Sequence, residues 1–481
     1  MNLRSIFDYI PEVTKPEEKK VGFNVKLKWT LIILGAFFVL SNIPLFGLSV
    51  NALSRFEYLA IILGTNFGSI ISLGIGPIVM ASIILQLLTG AGIINIDTTT
   101  VEGKKFFQGV QKLLVFFFIL FEAIVYVLMQ GLQANPGLEW LVIFQLILGG
   151  LAIFYMDQVT LNWGFGSGVS LFIGAGVSWR LFTSAFQFID NQGRNCLLNF
   201  GESGVACSGK FLVMIQSIIS GHQIEFFSAI GAILATIIIF LMVVWAQSLK
   251  VEIPLSFGKI RGYGVKWPLS FFYASVIPVI LTAALIANIQ LFGGMLENAA
   301  APCLVEGGTC MGVAKFASYF GFLGHFIDGQ AVSGFAFWLG STNVLDLFIR
   351  GGFLSKYLLQ AVTHMIFFMF FATIFSVFWV KTSGMDSKAQ AHKIASSGLQ
   401  VAGFRQDERV LESILDRYIM PLTVMGGLAI GLLASVTNLL GALVSGTAML
   451  LVIMIMFQFY QNIAQQHATD MNPTMRKFMG G

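Results

Sequence analysis

Ten stretches of this chain are apolar over most of the length that a helix needs to cross a bilayer, about 20 residues. They run near 29–46, 70–89, 113–130, 138–157, 166–188, 226–248, 268–291, 356–380, 419–440 and 443–463. Lipid offers no hydrogen-bond partners, so each run is expected to satisfy its own backbone as an α-helix. The charge content fits. Only 11% of the 481 residues are charged, against roughly 25% in a soluble domain, so most of the surface must face lipid. Residues 1–28 are polar and of mixed charge, and the first apolar run leads straight into others. A mature multi-pass membrane protein is therefore expected, with no cleaved leader. Leu3, Ile6, Phe7 and Ile10 share one helical face and are followed by Pro11, which suits a short helix lying on the membrane surface.

An even number of spans puts both termini on one side, and the basic residues indicate which. Of the 28 Lys and Arg, 21 lie before the first run, after the second, sixth and eighth, or in the tail. The excess of Lys and Arg in cytoplasmic loops places both termini in the cytoplasm. Two basic cytoplasmic connections follow, Lys250 to Lys266 and Thr382 to Tyr418. Two long connections, Asp190 to Gln223 and Phe292 to Lys356, fall outside. The second carries Phe335-Ala-Phe-Trp-Leu, which reads as a re-entrant or surface segment. All four cysteines lie in these outer loops: Cys196 and Cys207, Cys303 and Cys310. Their even count on the oxidising side suggests two within-loop disulfides, with free thiols as the alternative. No His/Cys cluster accompanies them, so no metal site is expected, and nothing in the sequence calls for a cofactor.

One hydrophobic segment is broken. Between Gly47 and Gly92, a short run from Ser54 to Leu63 carries Arg55 and Glu57 and is about 15 Å long if helical, too short to span. After Gly64-Thr65-Asn66 a longer run begins at Ile70, loosened by Gly74-Ile75-Gly76-Pro77. Non-helical backbone at membrane depth survives only where protein or a water-filled cavity surrounds it. The break therefore predicts a pathway through the middle. A secondary transporter with a broken-helix binding site would also have such breaks, but that class gathers charged groups at the midplane, and here Glu122 is nearly alone. A membrane-embedded enzyme would need paired carboxylates, a Ser/His pair or HExxH. His364 is the only histidine within a span and has no such pattern, so it reads as an interhelical hydrogen-bonding residue. No enzyme activity is expected.

Leu73-Gly-Ile-Gly-Pro-Ile-Val, Val251-Glu-Ile-Pro-Leu, Val279-Ile-Leu-Thr-Ala-Ala-Leu-Ile-Ala-Asn-Ile-Gln-Leu, Gly403-Phe-Arg and Pro421-Leu-Thr-Val-Met resemble the SecY family of protein-conducting channels. The match is closer to the archaeal form and the eukaryotic translocon alpha subunit than to the bacterial form. The resemblance implies an all-α polytopic membrane protein with ten transmembrane helices in two pseudo-symmetric five-helix halves around a central pore. The halves would be residues 29–188 and 226–463, joined by an external loop over 189–225. Residues 1–28 and 464–481 would be cytoplasmic, as would the loops at about 249–267 and 381–418. The implied function is to conduct unfolded polypeptide across the membrane and release apolar segments sideways into lipid.

By motif the resemblance assigns a pore ring to Ile75, Val79, Val169, Ile173, Ile280 and Leu433. It assigns a plug to Ser54, Arg55, Phe56, Glu57, Tyr58, Leu59, Ala60, Ile61, Ile62 and Leu63. It implies a lateral gate between the second and seventh spans, with the third and eighth beside them and polar residues Gln86, Glu122 and Asn288, the last two at positions where a polar cluster bridges the gate in the family. Met80 departs from the family, where a hydroxyl residue is common. Lys259, Arg261, Lys266, Lys393 and Arg405 are the implied ribosome contacts. The implied partners are a small single-span clamp subunit of the SecE type, a second small beta-type subunit, the ribosome, signal sequences and nascent polypeptides, and membrane lipid. The location would be the plasma membrane, or the endoplasmic reticulum membrane in a eukaryote.

Overall fold

The computed structural model describes residues 11–17, 21–51, 66–90, 93–94, 96, 100–129, 131–189, 194–196, 207–257, 264–274, 277–304, 313–327, 330–352, 355–396, 399–401 and 408–471. Ten main helices follow the ten apolar runs. They are α1 (Phe23–Ser41), α2 (Gly76–Gly90), α3 (Val101–Leu128), α4 (Glu139–Trp163), α5 (Gly168–Phe186), α6 (Gln223–Gln247), α7 (Ile277–Leu304), α8 (Ser355–Thr382), α9 (Glu408–Leu439) and α10 (Gly446–Met471). Among the described residues, nine helices are long and apolar enough to cross a membrane, and α2 is shorter.

The exception is the broken segment. A helix was expected from residue 70, but α2 starts only at Gly76. Gly74 sits at φ +54°, a conformation that glycine adopts without strain. Pro77 then falls in the first turn, where its missing N–H costs nothing. Gly74 to Pro77 thus begins a helix rather than loosening a longer one. The residues before it are turns, and their backbone bonds partly to the segment after α1. Ile70 N–H donates to Ile43 O at 3.0 Å and Leu45 N–H to Gly68 O at 2.9 Å. Ser72 Oγ accepts from Gly68 N–H at 2.8 Å. Ile71, Ser72, Leu73 and Ile75 are fully buried. A Cβ on Gly149 would stand 1.9 Å from the Ile70 carbonyl oxygen, so glycine there lets α4 lie directly on this backbone. Gly149 is about 15 Å along α4, well inside the bundle.

Helices α1 to α5 pack on one another, α1 on α4 and α5, and α3 between α2 and α4; helices α6 to α10 do likewise, with α8 against α7 and α9. Small residues permit the close approaches, as is common between membrane helices: a Cβ on Gly431 of α9 would come within 2.7 Å of Met369 Cα on α8. The two sets meet along two main seams, α2 against α7 and α8, and α5 against α10.

Short strands decorate this mostly helical fold. β1 (Leu48–Asn51) pairs with β2 (Leu132–Ala134), and β5 (His325–Ile327) with β6 (Gln330–Ser333). β3 (Lys250–Phe257) pairs with β4 (Gly264–Ser270) and also with β7 (Leu399–Val401), giving a three-stranded antiparallel sheet in the order β4-β3-β7. The connections after α6 and after α8 are therefore one structure. Strand β4 occupies residues first read as the start of the seventh span, so α7 begins at Ile277 and extends to Leu304. Phe335–Leu339 is a short helix with Ala336, Phe337 and Leu339 buried, packed against α7 and α8.

Candidate functional site

Where the two helix sets meet, the centre is aliphatic. Ile75 and Ile173 are 0% exposed, Ile280 3% and Val79 4%. All four belong to one buried cluster, and Val169 and Leu433 pack against it, half-buried. The carriers are the seam helices: α2 and the turn before it bring Ile75 and Val79, α5 brings Val169 and Ile173, and α7 brings Ile280. Leu433 comes from α9. Helix α10 packs directly on α5 and α7, and its run from Ala448 to Ile455 is buried throughout. The sequence pattern did not single that run out, because an all-apolar stretch looks alike on its lipid and protein faces.

Polar side chains lie beside this centre. Glu122 of α3 is fully buried, and neither of its carboxyl oxygens has a hydrogen-bond partner among the described residues. It abuts Gly76, where an added Cβ would stand 3.0 Å from Glu122 Oε2. Asn288 Nδ2 donates to Ala284 O of its own helix at 2.8 Å, while its Oδ1 and Gln86 Oε1 are buried without partners among the described residues. No direct hydrogen bond joins Glu122 to Asn288 among the described residues. Glu122 faces the glycine at the start of α2, and the asparagine turns back on its own backbone. Met80 is half-buried against the core.

Two further polar devices join partners that the sequence did not indicate. Asp157 of α4 accepts a hydrogen bond from Val169 N–H at 3.0 Å. It thereby caps α5, whose own N-cap residue, Ser167, makes no side-chain cap bond. A Cβ on Gly168 would meet Asp157 Cα at 2.6 Å, so the helix start and the carboxylate are pressed together. In the other set, His364 Nδ1 donates to Leu339 O at 2.6 Å, which leaves Nε2 to accept from Asn438 Nδ2 at 3.2 Å. Asn438 Oδ1 accepts from Thr447 N–H at 2.7 Å. Gln360 Nε2 donates to Phe337 O at 2.7 Å. His364 is thus an interhelical hydrogen-bonding residue, as its isolation in the sequence suggested.

On the face bearing the three-stranded sheet, Tyr273 Oη donates to Met385 O at 2.7 Å. Burial, then the negative charge of Asp386, pushes its hydroxyl above the usual tyrosine range. Lys393 is exposed on the helix Ser387–Ser396, and Lys266 lies in β4 opposite Pro254. Lys259, Arg261, Arg405 and all ten plug residues, Ser54 to Leu63, lie outside the described residues, as do the proposed surface-helix residues Leu3, Ile6, Phe7 and Ile10. On the opposite face Cys196 and Cys207 form a disulfide with Cα atoms 5.4 Å apart. Cys303 lies in the last turn of α7, and Cys310 falls outside the described residues. Among the described residues, no group of three or more His, Cys, Asp or Glu could hold a metal ion.

Two sets of long apolar helices meeting at a buried aliphatic centre, one seam carrying unpartnered polar groups, define a multi-pass membrane protein of the channel class. Residues 69–460 match the SecY family. The protein translocase subunit SecY of Methanothermobacter thermautotrophicus is 40% identical over 480 residues, covering 99% of this chain and 98% of that one. A solved protein-conducting channel superposes with a TM-score of 0.80 at 36% identity, covering 98% of this chain and 99% of the other. The Sec61 channel of a canine ribosome–channel complex from the endoplasmic reticulum gives 0.77 at 36% identity, with the same coverage. The chain belongs to the SecY family.

Proposed function

We propose that this chain is the central, pore-forming subunit of a protein translocase. It conducts unfolded polypeptide across the membrane and releases apolar segments into lipid. The observation that carries it is likeness along 98% of the chain to a protein-conducting channel at 36% identity, together with an aliphatic centre at the meeting of the two helix sets.

Residues 29–188 and 226–463 act as two halves joined by the external stretch 189–225, with residues 1–28 and 464–481 in the cytoplasm. The asymmetry of Lys and Arg supports that orientation. In a eukaryote the membrane would be that of the endoplasmic reticulum. Ile75, Val79, Val169, Ile173 and Ile280 form the constriction, with Leu433 or a residue of the buried α10 run completing it. Aliphatic side chains offer ions no coordination and disfavour water in a narrow passage, so the closed ring seals by dewetting. They also make no hydrogen bonds to a passing backbone, so the ring parts for any sequence. Residues 54–63 plug the outer funnel. Gln86, Glu122 and Asn288 mark the seam through which an apolar segment leaves. The chain itself is not an enzyme, and the energy comes from translation or from a cytosolic motor.

The ribosome docks on the sheet that unites the two basic loops, through Lys259, Arg261, Lys266, Lys393 and Arg405, and salt weakens that contact with phosphates. A SecE-type single-span subunit, a beta-type subunit, signal sequences, nascent chains and lipid are the other partners. The SecE-type helix fits the apolar groove of about 440 Å³ across the α5–α10 seam, lined by Leu34, Phe38, Leu171, Trp179, Phe182 and Ile455.

The test is site-specific crosslinking from a ribosome-stalled secretory chain. Adducts at Ile75, Ile173 or Ile280 are expected, moving to the α2–α7 seam when the chain carries an apolar signal. Absence of adducts in a folded complex that retains its small subunits would refute conduction.

A further inference from the structure

Two buried oxygens in the second helix set face one small space. Gln290, on α7, is 4% exposed, and its Oε1 has no hydrogen-bond partner among the described residues. Ser445, in the turn before α10, holds its Oγ in the same condition. Both line a cavity of about 30 Å³, and His364, Phe368, Asn438 and Thr447 also line it. The Gln290 amide is oriented by its other end. Nε2 points at the Ala336 carbonyl at 3.5 Å, and turning the amide round would set two acceptors face to face. Oε1 is thereby left in the cavity.

We infer that this cavity is a binding site for one water molecule that ties the seam helix α7 to the start of α10. A buried water needs roughly 10–15 Å³ and two to four polar partners, and both conditions are met. The water donates to Gln290 Oε1 and shares a second hydrogen bond with the Ser445 hydroxyl. Both oxygens are then satisfied, as buried polar groups nearly always are. A metal cation is the wrong class of ligand, since no carboxylate lines the space and hard cations take six or more oxygens. The His364–Asn438–Thr447 chain forms another wall of the site, which keeps the cavity from collapsing onto apolar side chains.

The site rests on geometry alone, and its bearing on the gate rests on the proposed function. One face of α7 lies on α2 across the seam. The water and its two partners also hold α7 to the start of α10. When the seam parts, α7 therefore travels with its own helix set instead of rotating alone.

The test uses the complete complex with its small subunits. A cryo-EM map that resolves ordered water should show a peak at hydrogen-bonding distance from both Gln290 Oε1 and Ser445 Oγ. Gln290→Met should abolish it. X-ray hydroxyl-radical footprinting, in which bound water labels its neighbours, should mark Phe368 and lose most of that label in the same variant. A wild-type map without the peak, or with Gln290 and Ser445 bonded directly, overturns the inference. So does Phe368 labelling that Gln290→Met leaves unchanged in a complex that still assembles. If the peak is present but crosslinks to a translocating chain fail, the functional proposal falls and the water site stands.

Discussion

The two seams between the helix sets are built from opposite materials. On α2, on α7 and on the adjoining α3, Gln86 Oε1, Asn288 Oδ1 and both carboxyl oxygens of Glu122 are buried without partners among the described residues. Along α5 and α10 the contact is apolar and close, with a Cβ on Gly174 reaching 3.5 Å from Ile455. Phe172 of α5 stacks on Phe37 of α1 at 4.8 Å, which ties the seam's other side. Each buried polar atom left unpaired costs about 1–3 kcal/mol. The first seam therefore carries buried polar groups that water can reach as it opens, whereas the second buries apolar surface that opening would expose. On the proposed function, the first is the gate and the second the hinge.

The largest expected effect comes from breaking the centre that both seams surround. Replacing Ile75, Val79 and Ile280 together with asparagine should raise ion conductance roughly tenfold or more, because a polar lining stays wet. An unchanged conductance in planar bilayers would remove these residues from the constriction. Next is Gly174→Leu at the apolar seam. A side chain forced against Ile455 and into the adjoining groove should cost about 1–3 kcal/mol. It should also strip the single-span subunit during purification, and full retention would argue against the groove as its seat. Glu122→Met acts in the other direction. By removing two unpaired oxygens it should raise the melting temperature of the purified complex and slow release of apolar segments, and a lowered Tm would mean that Glu122 holds the seam together.

Two smaller changes test how local these effects are. Asp157→Ala should cost about 1 kcal/mol by uncapping α5, with a modest increase in ion leak through displacement of Val169. Asp157→Asn, which keeps an acceptor, should restore most of the seal. The smallest effect lies outside the seams, where Ser228 Oγ donates to Asp346 at 2.7 Å and Arg350 pairs with it at 3.1 Å. Burial pulls the Asp346 carboxyl upward, but the bonds from Ser228 and Arg350 and the charges of Arg350 and Lys210 outweigh it, so it lies below the usual 3.8. A lowered folded value stabilises above the ordinary aspartate range, and that contribution is lost as pH falls through the folded value. Thermal melts of wild type and Asp346→Asn should therefore converge in acid and separate slightly near neutrality. The pair is partly exposed, so the separation is small.

Much of this was legible because bilayer thickness and charge rules act through local sequence. The ten helices follow the ten runs, and the glycines and proline at 74–77 flagged the irregular second segment. What escaped depends on contacts between distant residues. No periodicity reveals that Asp157 caps a helix beginning eleven residues later, or that Asn438 joins His364 to Thr447. Residues 268–270 read as membrane span because Pro268, Leu269 and the aromatics after them are apolar. Pairing with Lys250, Val251 and Glu252 makes them strand. Leu433 was the nearest available leucine for a ring whose sixth member the motif left open.

The three-stranded sheet has a mechanical consequence. Strand β3 follows α6, β4 precedes α7, and β7 belongs to the connection between α8 and α9, so two connections of the C-terminal set share one hydrogen-bonded patch. Load applied to either connection is shared with the other instead of peeling one hairpin away.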